Sequence, residues 1–268
     1  NPAMTGVYEG LWRVGANFRT QWGSVMHKPY NTFAFTADGK IQAFKSDFVG
    51  IGFSAMSDIS GQGMYNVTDI NLSATYMKKL SGGGRSYKSA ITSYLVAGAQ
   101  IGIGQRSVKW LNLTYSTQYY TDDTGDGYDQ SIYSGENTNR RNTKIYPDLG
   151  VGALWYGVMG PRKSIYAGFG LFHLNRPEIS LFNRTAGSAS ADIERLYMRI
   201  TAHAGGELLV GGRGSAVSLL PGFVGMFQGP SMELNMGLGI KYQRAKYDDF
   251  ALRFSIWSRL ANKLETSI

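Results

Sequence analysis

The chain contains no cysteine, so thiol nucleophiles, Cys-ligated metals and disulfide frameworks are all excluded. Long hydrophobic runs are missing too. No stretch approaches the ~18 apolar residues of a membrane helix. Mean hydropathy is slightly negative, which excludes a helical membrane protein. Histidine is scarce. His27, His173 and His203 lie in separate segments without ligand spacing, which argues against a zinc site or a His-centred catalytic cluster. Charge is sparse and scattered. The net charge of +8 has its longest basic clusters at Met77-Lys78-Lys79 and Arg140-Arg141, each at a turn or loop. A solvated-loop reading is therefore preferred, and no nucleic-acid partner is expected. No helical period, no internal repeat and no domain boundary is visible. The chain opens on Asn1, and no signal peptide is seen. A cleaved or upstream leader is the expectation.

What is abundant points elsewhere. Glycine accounts for 35 of 268 residues, against ~7% in average proteins. There is no collagen period. The glycines sit inside strand patterns, as at Gly98, Gly102, Gly104, Gly150, Gly152, Gly168, Gly170, Gly237 and Gly239. Glycine inside a strand marks a bend or a close approach, and closing a barrel needs bends. Tyr (17), Phe (13) and Trp (5) are plentiful, as expected of aromatic girdles at two membrane interfaces.

The dominant signal has a period of two. In 234–243 one face reads Leu234, Met236, Leu238, Ile240, Tyr242 and the other Asn235, Gly237, Gly239, Lys241, Gln243. Successive strand residues point to opposite faces, so such a strand separates oil from water. Strands are predicted near 8–22, 29–45, 48–57, 65–79, 87–104, 108–121, 145–158, 163–173, 193–204, 205–211, 216–227, 231–243 and 248–259. Many are longer than the ~5–6 residues typical of soluble strands, and a tilted membrane strand needs only about 9–11. Connections at 37–40, 159–162 and 211–214 read as tight turns, and those near 122–144 and 174–192 as long polar loops. Short turns at one end and long loops at the other match an outer-membrane barrel. The expected fold is all-β: a single transmembrane antiparallel up-and-down β-barrel over 1–268. Single-chain bacterial barrels have even strand counts. Thirteen strands therefore predict either one strand split too many or closing strands missing at the C-terminal end.

Few residues suggest chemistry. Asp122, Asp123, Asp126 and Asp129 surround Gly125 and Gly127, an oxygen-rich setting of the kind calcium takes. The full EF-hand pattern is absent, and a solvated loop is the preferred reading. Gly82-Gly83-Gly84 and the Gly-x-Gly pairs lack the strand-to-helix context of phosphate loops. Asp248-Asp249 reads as turn chemistry. No Ser/His/acid set converges, so no enzyme activity and no cofactor is expected. Arg13, Arg19, Arg199, Arg253 and Arg259 are predicted to face the lumen, with Phe172, Tyr197 and Trp257 partly filling it. His203 reads as a lumen residue, and His173 as a hydrogen-bonding residue at the rim.

Several motifs in fixed order carry a resemblance. Asn1-Pro2-Ala3-Met4-Thr5-Gly6, followed by Phe18-Arg19-Thr20-Gln21-Trp22, resembles the start of the PorP/SprF family, outer-membrane proteins of Bacteroidota. Tyr166-Ala167-Gly168 through His173 to Pro177 is similar to that family's next motif. Leu220-Pro221-Gly222 with Gln228-Gly229 is similar to a later strand, as is Phe254 to Arg259 with Trp257. Ser255 stands where a glycine is common. The resemblance covers essentially the whole chain and makes Asn1, Pro2, Gly6, Arg19, Trp22, Gly168, His173, Pro177, Pro221, Trp257 and Arg259 structural motif residues. It implies a barrel in the bacterial outer membrane that serves the type IX secretion system and gliding motility, without catalytic residues. It implies as partners outer-membrane lipid, the C-terminal domain of a secreted cargo such as an adhesin, and other secretion components including periplasmic ring lipoproteins. Two alternatives stand beside cargo anchoring: a core component linked to the periplasmic ring, and a passive porin-like channel. Tyr128, Tyr133 and Phe182, in the long loops, are the candidate partner contacts.

Overall fold

The computed structural model describes residues 1–8, 10–44, 46–81, 92–122, 125–135, 142–160, 162–181, 194–211, 215–243 and 250–263. The strands are β1 (Trp12–Gln21), β2 (Tyr30–Phe44), β3 (Asp47–Ser60), β4 (Tyr65–Ser81), β5 (Thr92–Ser107), β6 (Tyr119–Asp122), β7 (Gly125–Tyr128), β8 (Tyr146–Gly160), β9 (Lys163–Phe172), β10 (Arg199–Leu209), β11 (Val217–Gln228), β12 (Ser231–Tyr242) and β13 (Leu252–Lys263). Eleven of them form one antiparallel meander in the order β1-β2-β3-β4-β5-β8-β9-β10-β11-β12-β13, and β6 and β7 form a separate hairpin. This all-β architecture bears out the barrel-type expectation. In a meander of eleven, the two edge strands β1 and β13 run in the same direction. Among the described residues they are not paired with each other.

The two faces of the sheet invert the usual rule for soluble proteins. On β5, Leu95, Ile101 and Ile103 point outward, and Ile101 is 60% exposed. Tyr94, Val96, Gly98, Gln100, Gly102 and Gly104 point inward, and Val96 is fully buried. On β13, Phe254 and Ile256 face out at 69% and 68% exposure. A contiguous apolar outer face of this size has no place in water. It fits lipid, as strands of 10 to 17 residues fit a bilayer crossing.

The buried core lies inside the curl of the sheet. Ala3, Met77, Val96 and Leu154 form it, with Met4, Val7, Phe48, Tyr94 and Tyr166 packed against them. Ala3 belongs to the short 3-10 turn Pro2–Met4, which contacts β4, β5, β8 and β9. Residues 1–8 therefore run across the inside of the strands.

Three expectations are corrected. Residues 108–121 are not a long strand: they hold two 3-10 turns, Trp110–Asn112 and Ser116–Gln118, before the short β6. Adjacent Trp110 and Leu111 break the alternation there, and the Asn, Ser and Thr side chains favour local hydrogen bonds over a ladder. The segments 193–204 and 205–211 form one strand, β10. Gly205 sits mid-strand because the Tyr166 ring lies over it, 2.6 Å from where a Cβ would stand. Finally, Ala37–Lys40 is no turn but the interior of β2, with Asp38 opposite Gly52 and Arg13.

The two longest connections share one end, which also carries the short turns 61–64 and 229–230, so the expected division into a short-turn and a long-loop end holds only in part. Connections 108–145 and 173–198 leave from one end. The turns at 161–162 and 210–216 lie at the other.

Candidate functional site

The lumen is organised by a cross-strand row. Lys40 pairs with Gly50, Gly50 with Thr75, Thr75 with Gly98, Gly98 with Gly152, Gly152 with Gly170, and Gly170 with Thr201. All face inward along one cross-strand row. The result is a shallow channel floor running across seven strands, and the chain's first residues lie in it.

Each residue of this strap meets the wall. Asn1 Nδ2 donates to the carbonyl of Ala153 at 3.3 Å, and its Oδ1 accepts from Ala3 N at 3.0 Å, capping the turn. Pro2 suits the first position of that turn because its φ is already set. Ala3 stands so close to Gly98 that a Cβ there would lie 2.6 Å from Ala3 N. A Cβ on Gly152 would collide with Asn1 Oδ1. Thr5 shares a 2.8 Å hydrogen bond with Ser73, and its carbonyl accepts from Thr75 Oγ1 at 2.9 Å. Gly6 turns the chain at φ +75°, against Cα of Gly50.

Asp38 fastens the exit. Its carboxylate accepts from Gly6 N at 2.7 Å and from Arg13 Nε and a terminal guanidinium nitrogen, each at 2.9 Å. Its carbonyl accepts from the Tyr8 hydroxyl at 2.7 Å. The Arg13 guanidinium stacks over the Tyr8 ring at 4.7 Å, and Lys40 Nζ donates to the Tyr8 carbonyl. One buried carboxylate thus ties the strap to β1 and β2. Asp38→Ala leaves the Gly6 amide and Arg13 without their acceptor. It is expected to cost on the order of 2 kcal/mol, read as a lower denaturant midpoint for the folded barrel in detergent.

The other inner wall is paved differently. Tyr166, Gly205, Gly222, Gly237 and Trp257 pair in sequence across β9 to β13. A Cβ on Gly222 would stand 2.6 Å from the Trp257 indole, and one on Gly237 would fall within it. Tyr166 and Trp257 therefore lie flat on a glycine floor from its two sides. Pro221 faces outward opposite Leu238. The β10–β11 register passes from Gly205–Gly222 to Leu208–Leu219 across it, because proline has no N–H for the ladder.

The predicted lumen arginines all fall on the inward register, but the lumen is not simply basic. Arg13 pairs with Asp38, Arg259 with Glu233 at 2.6 Å, and Lys241 with Glu207 at 3.1 Å. Arg199 stacks on Phe172 at 4.5 Å. Arg19 lies opposite Thr32, and Arg253 opposite Lys241. His203 faces inward beside Gly168 and Tyr166. His173 closes β9 at φ +57° and meets Asp148 at 2.8 Å, where Asn175 Nδ2 also donates to the Pro147 carbonyl. Pro177 is buried just beyond, its carbonyl accepting from Leu196 N. Trp22 turns the chain after β1 at φ +62°. Tyr197 is not in the bore. It packs over Gly229 at the turn between β11 and β12.

At the long-loop end, residues 108–135 form a structured excursion pinned by Gln118, which is 6% exposed. Gln118 Nε2 donates to the Ile132 carbonyl at 2.9 Å, and its own carbonyl accepts from Asp129 N at 2.8 Å. Thr117 Oγ1 donates to the Ser134 carbonyl at 2.8 Å. Around this pin, Tyr119 and Tyr128 stack edge to face, with Tyr128 and Tyr133 53% and 73% exposed. A separate cleft of about 460 Å³ lies between Thr143–Pro147 and Asn175–Ser180.

The acidic loop does not converge. Asp122 pairs with Gly125 and Asp126 with Thr121, so the hairpin sends the two carboxylates to opposite faces. Asp129 is bonded to the amide and hydroxyl of Ser131, which hold its carboxyl below the ordinary range. It stays ionised at neutral pH, and this turn is expected to loosen only as pH falls through that lowered value, read by amide exchange of Ser131. Among the described residues no group of three His, Asp or Glu is placed to hold a metal. Asp123, Phe182, the glycines at 82–84, Arg140, Arg141, Asp248 and Asp249 lie outside the described residues.

No curated protein and no solved structure matches the chain. A family model described as "Type IX secretion system membrane protein PorP/SprF" matches residues 1–267. The motif residues behind the sequence resemblance now have physical roles: Asn1, Pro2 and Gly6 in the strap, His173 and Pro177 at the rim, Gly168 and Trp257 in the lumen wall. With nearly the whole chain matched and an all-β fold of membrane-spanning strands, this chain belongs to the PorP/SprF family of type IX secretion system membrane proteins.

Proposed function

We propose that the protein is an outer-membrane barrel that supports export and surface anchoring of a type IX cargo protein, gripping the cargo's C-terminal domain with its long-loop rim. The observation that carries this reading is the Gln118-pinned excursion. It is ordered by its own hydrogen bonds, yet it presents Tyr119, Tyr120, Tyr128 and Tyr133 to solvent. Aromatic side chains are enriched at protein interfaces and supply large contact area at low entropic cost. A preformed loop also avoids much of the ordering cost of binding.

Deleting 122–144 is expected to release the cargo into the medium while the barrel remains folded in the membrane. Retention of the cargo at the surface by the folded deletion variant would contradict the proposal. The double variant Tyr128→Ser/Tyr133→Ser makes the same test without shortening the chain. An interface aromatic of this kind carries about 2 kcal/mol or more, so co-purification of cargo with the barrel should fall at least tenfold. Recovery of periplasmic ring lipoproteins instead, with no cargo, would favour the core-component reading.

A further inference from the structure

We infer that residues 1–8 are a resident plug that closes the bore, so that the barrel is a sealed scaffold and nothing passes through it. The inference rests on the barrel fold and is independent of what the rim binds. Barrel bores widen with strand number: about eight strands leave room that side chains alone fill, whereas 16–18 leave an aqueous channel. This sheet supplies eleven strands. At mid-height its inner wall carries Gly50, Gly98, Gly152 and Gly170, where a soluble core would carry bulky side chains. Those glycines are not needed for turns. They sit in regular strands. At Gly98 and Gly152 a side chain would strike the strap first, at Ala3 and Asn1, and at Gly50 it would meet the Thr5 carbonyl as well as Thr75 Oγ1.

The strap is also fixed chemically. Its side chains and backbone bond to β2 through Asp38, to β4 through Ser73 and Thr75, and to β8 through Ala153. Ala3 is fully buried and joins Val96 and Leu154 in the core. A segment that merely rested at the mouth would show none of this. On the remaining wall, Tyr166 and Trp257 cover the second glycine floor. Strap and rings line neighbouring stretches of the inner wall, their rows four residues apart along β9 and β10. Space that strand number creates is thus filled by the chain's own first residues.

Conductance of the full chain in planar bilayers tests this directly. The parent protein is expected to be electrically silent. Gly98→Leu and Gly152→Leu, which take the strap's place on the wall, are expected to raise conductance several-fold. A parent that conducts as freely as these variants overturns the inference. Because either variant can fail to fold, Thr5→Cys/Ser73→Cys provides a second test in a chain free of other cysteines. The two hydroxyls it replaces lie 2.8 Å apart. Mild oxidation of the membrane-inserted protein is expected to link the two cysteines nearly completely. Their failure to link in a folded barrel places the strap outside the bore and overturns the inference as well.

Discussion

Gly237→Leu is expected to destabilise the barrel on the order of 3–5 kcal/mol, enough to remove most folded protein from the membrane. The first side-chain carbon would fall within the Trp257 indole, which lies across Gly222 and Gly237 as an inner-wall layer. Trp257 cannot retreat outward, because its own strand fixes it to the lumen side opposite Gly237. Its contacts are therefore lost and strain is added. The double variant Gly237→Leu/Trp257→Ala should recover part of the loss, since the clash has been removed. Resistance to SDS in unheated samples reports the folded fraction. Equal destabilisation by Gly237→Leu with and without Trp257 would mean that the contact is not the cause.

One residue further along β12 the expected result has the opposite origin. Leu238 points away from the lumen, paired with Pro221 and Ile256 on the outer face and 53% exposed. Leu238→Arg puts a charge against hydrocarbon near the middle of the strand and should cost about 2–4 kcal/mol. Asn235→Arg, three residues away but inward between Glu233 and the opposite Arg259, should cost less than Leu238→Arg, because the lumen face is polar and Glu233 is within reach. The contrast between the two is the prediction. In a soluble sandwich, Leu238 would not meet lipid and Leu238→Arg would be nearly neutral.

Much of this was legible in the sequence, because lipid imposes a strict rule on every strand. The alternation in 234–243 placed Leu238 and Gly237 on opposite faces correctly, and the long loops were placed at one end. What failed has a common cause. A strand pattern read locally does not reveal which distant residues share a level of the barrel. Gly50, Gly98, Gly152 and Gly170 are far apart in sequence and become one floor only through register. Strand glycines were read as marking a bend or a close approach, and at Gly98 and Gly152 the structure shows a close approach, of the strap. For the same reason residues 1–7 were left outside the predicted strands with no place in the fold, since Asn, Pro, Thr and Gly are turn residues wherever they occur. Asp38-Gly39 looked like a hairpin turn, yet Asp38 is the carboxylate that holds Gly6 and Arg13. Tyr128 and Tyr133 were singled out as aromatics in a long loop, and the structure exposes both. Gln118, which pins the loop that bears them, was missed because a single glutamine carries no pattern.

The central claim is that these strands cross a bilayer with a small, polar face around a filled lumen and an apolar face to lipid. The most direct test is a single-cysteine scan along β12 from Ser231 to Tyr242, in reconstituted bilayers, read by labelling with a lipid-phase thiol probe. The account predicts strong labelling at Met236, Leu238 and Ile240 and little at Asn235, Gly237 and Gly239, with the period of two kept throughout. Uniform labelling by a water-soluble maleimide along the whole strand, with no alternation, would contradict it.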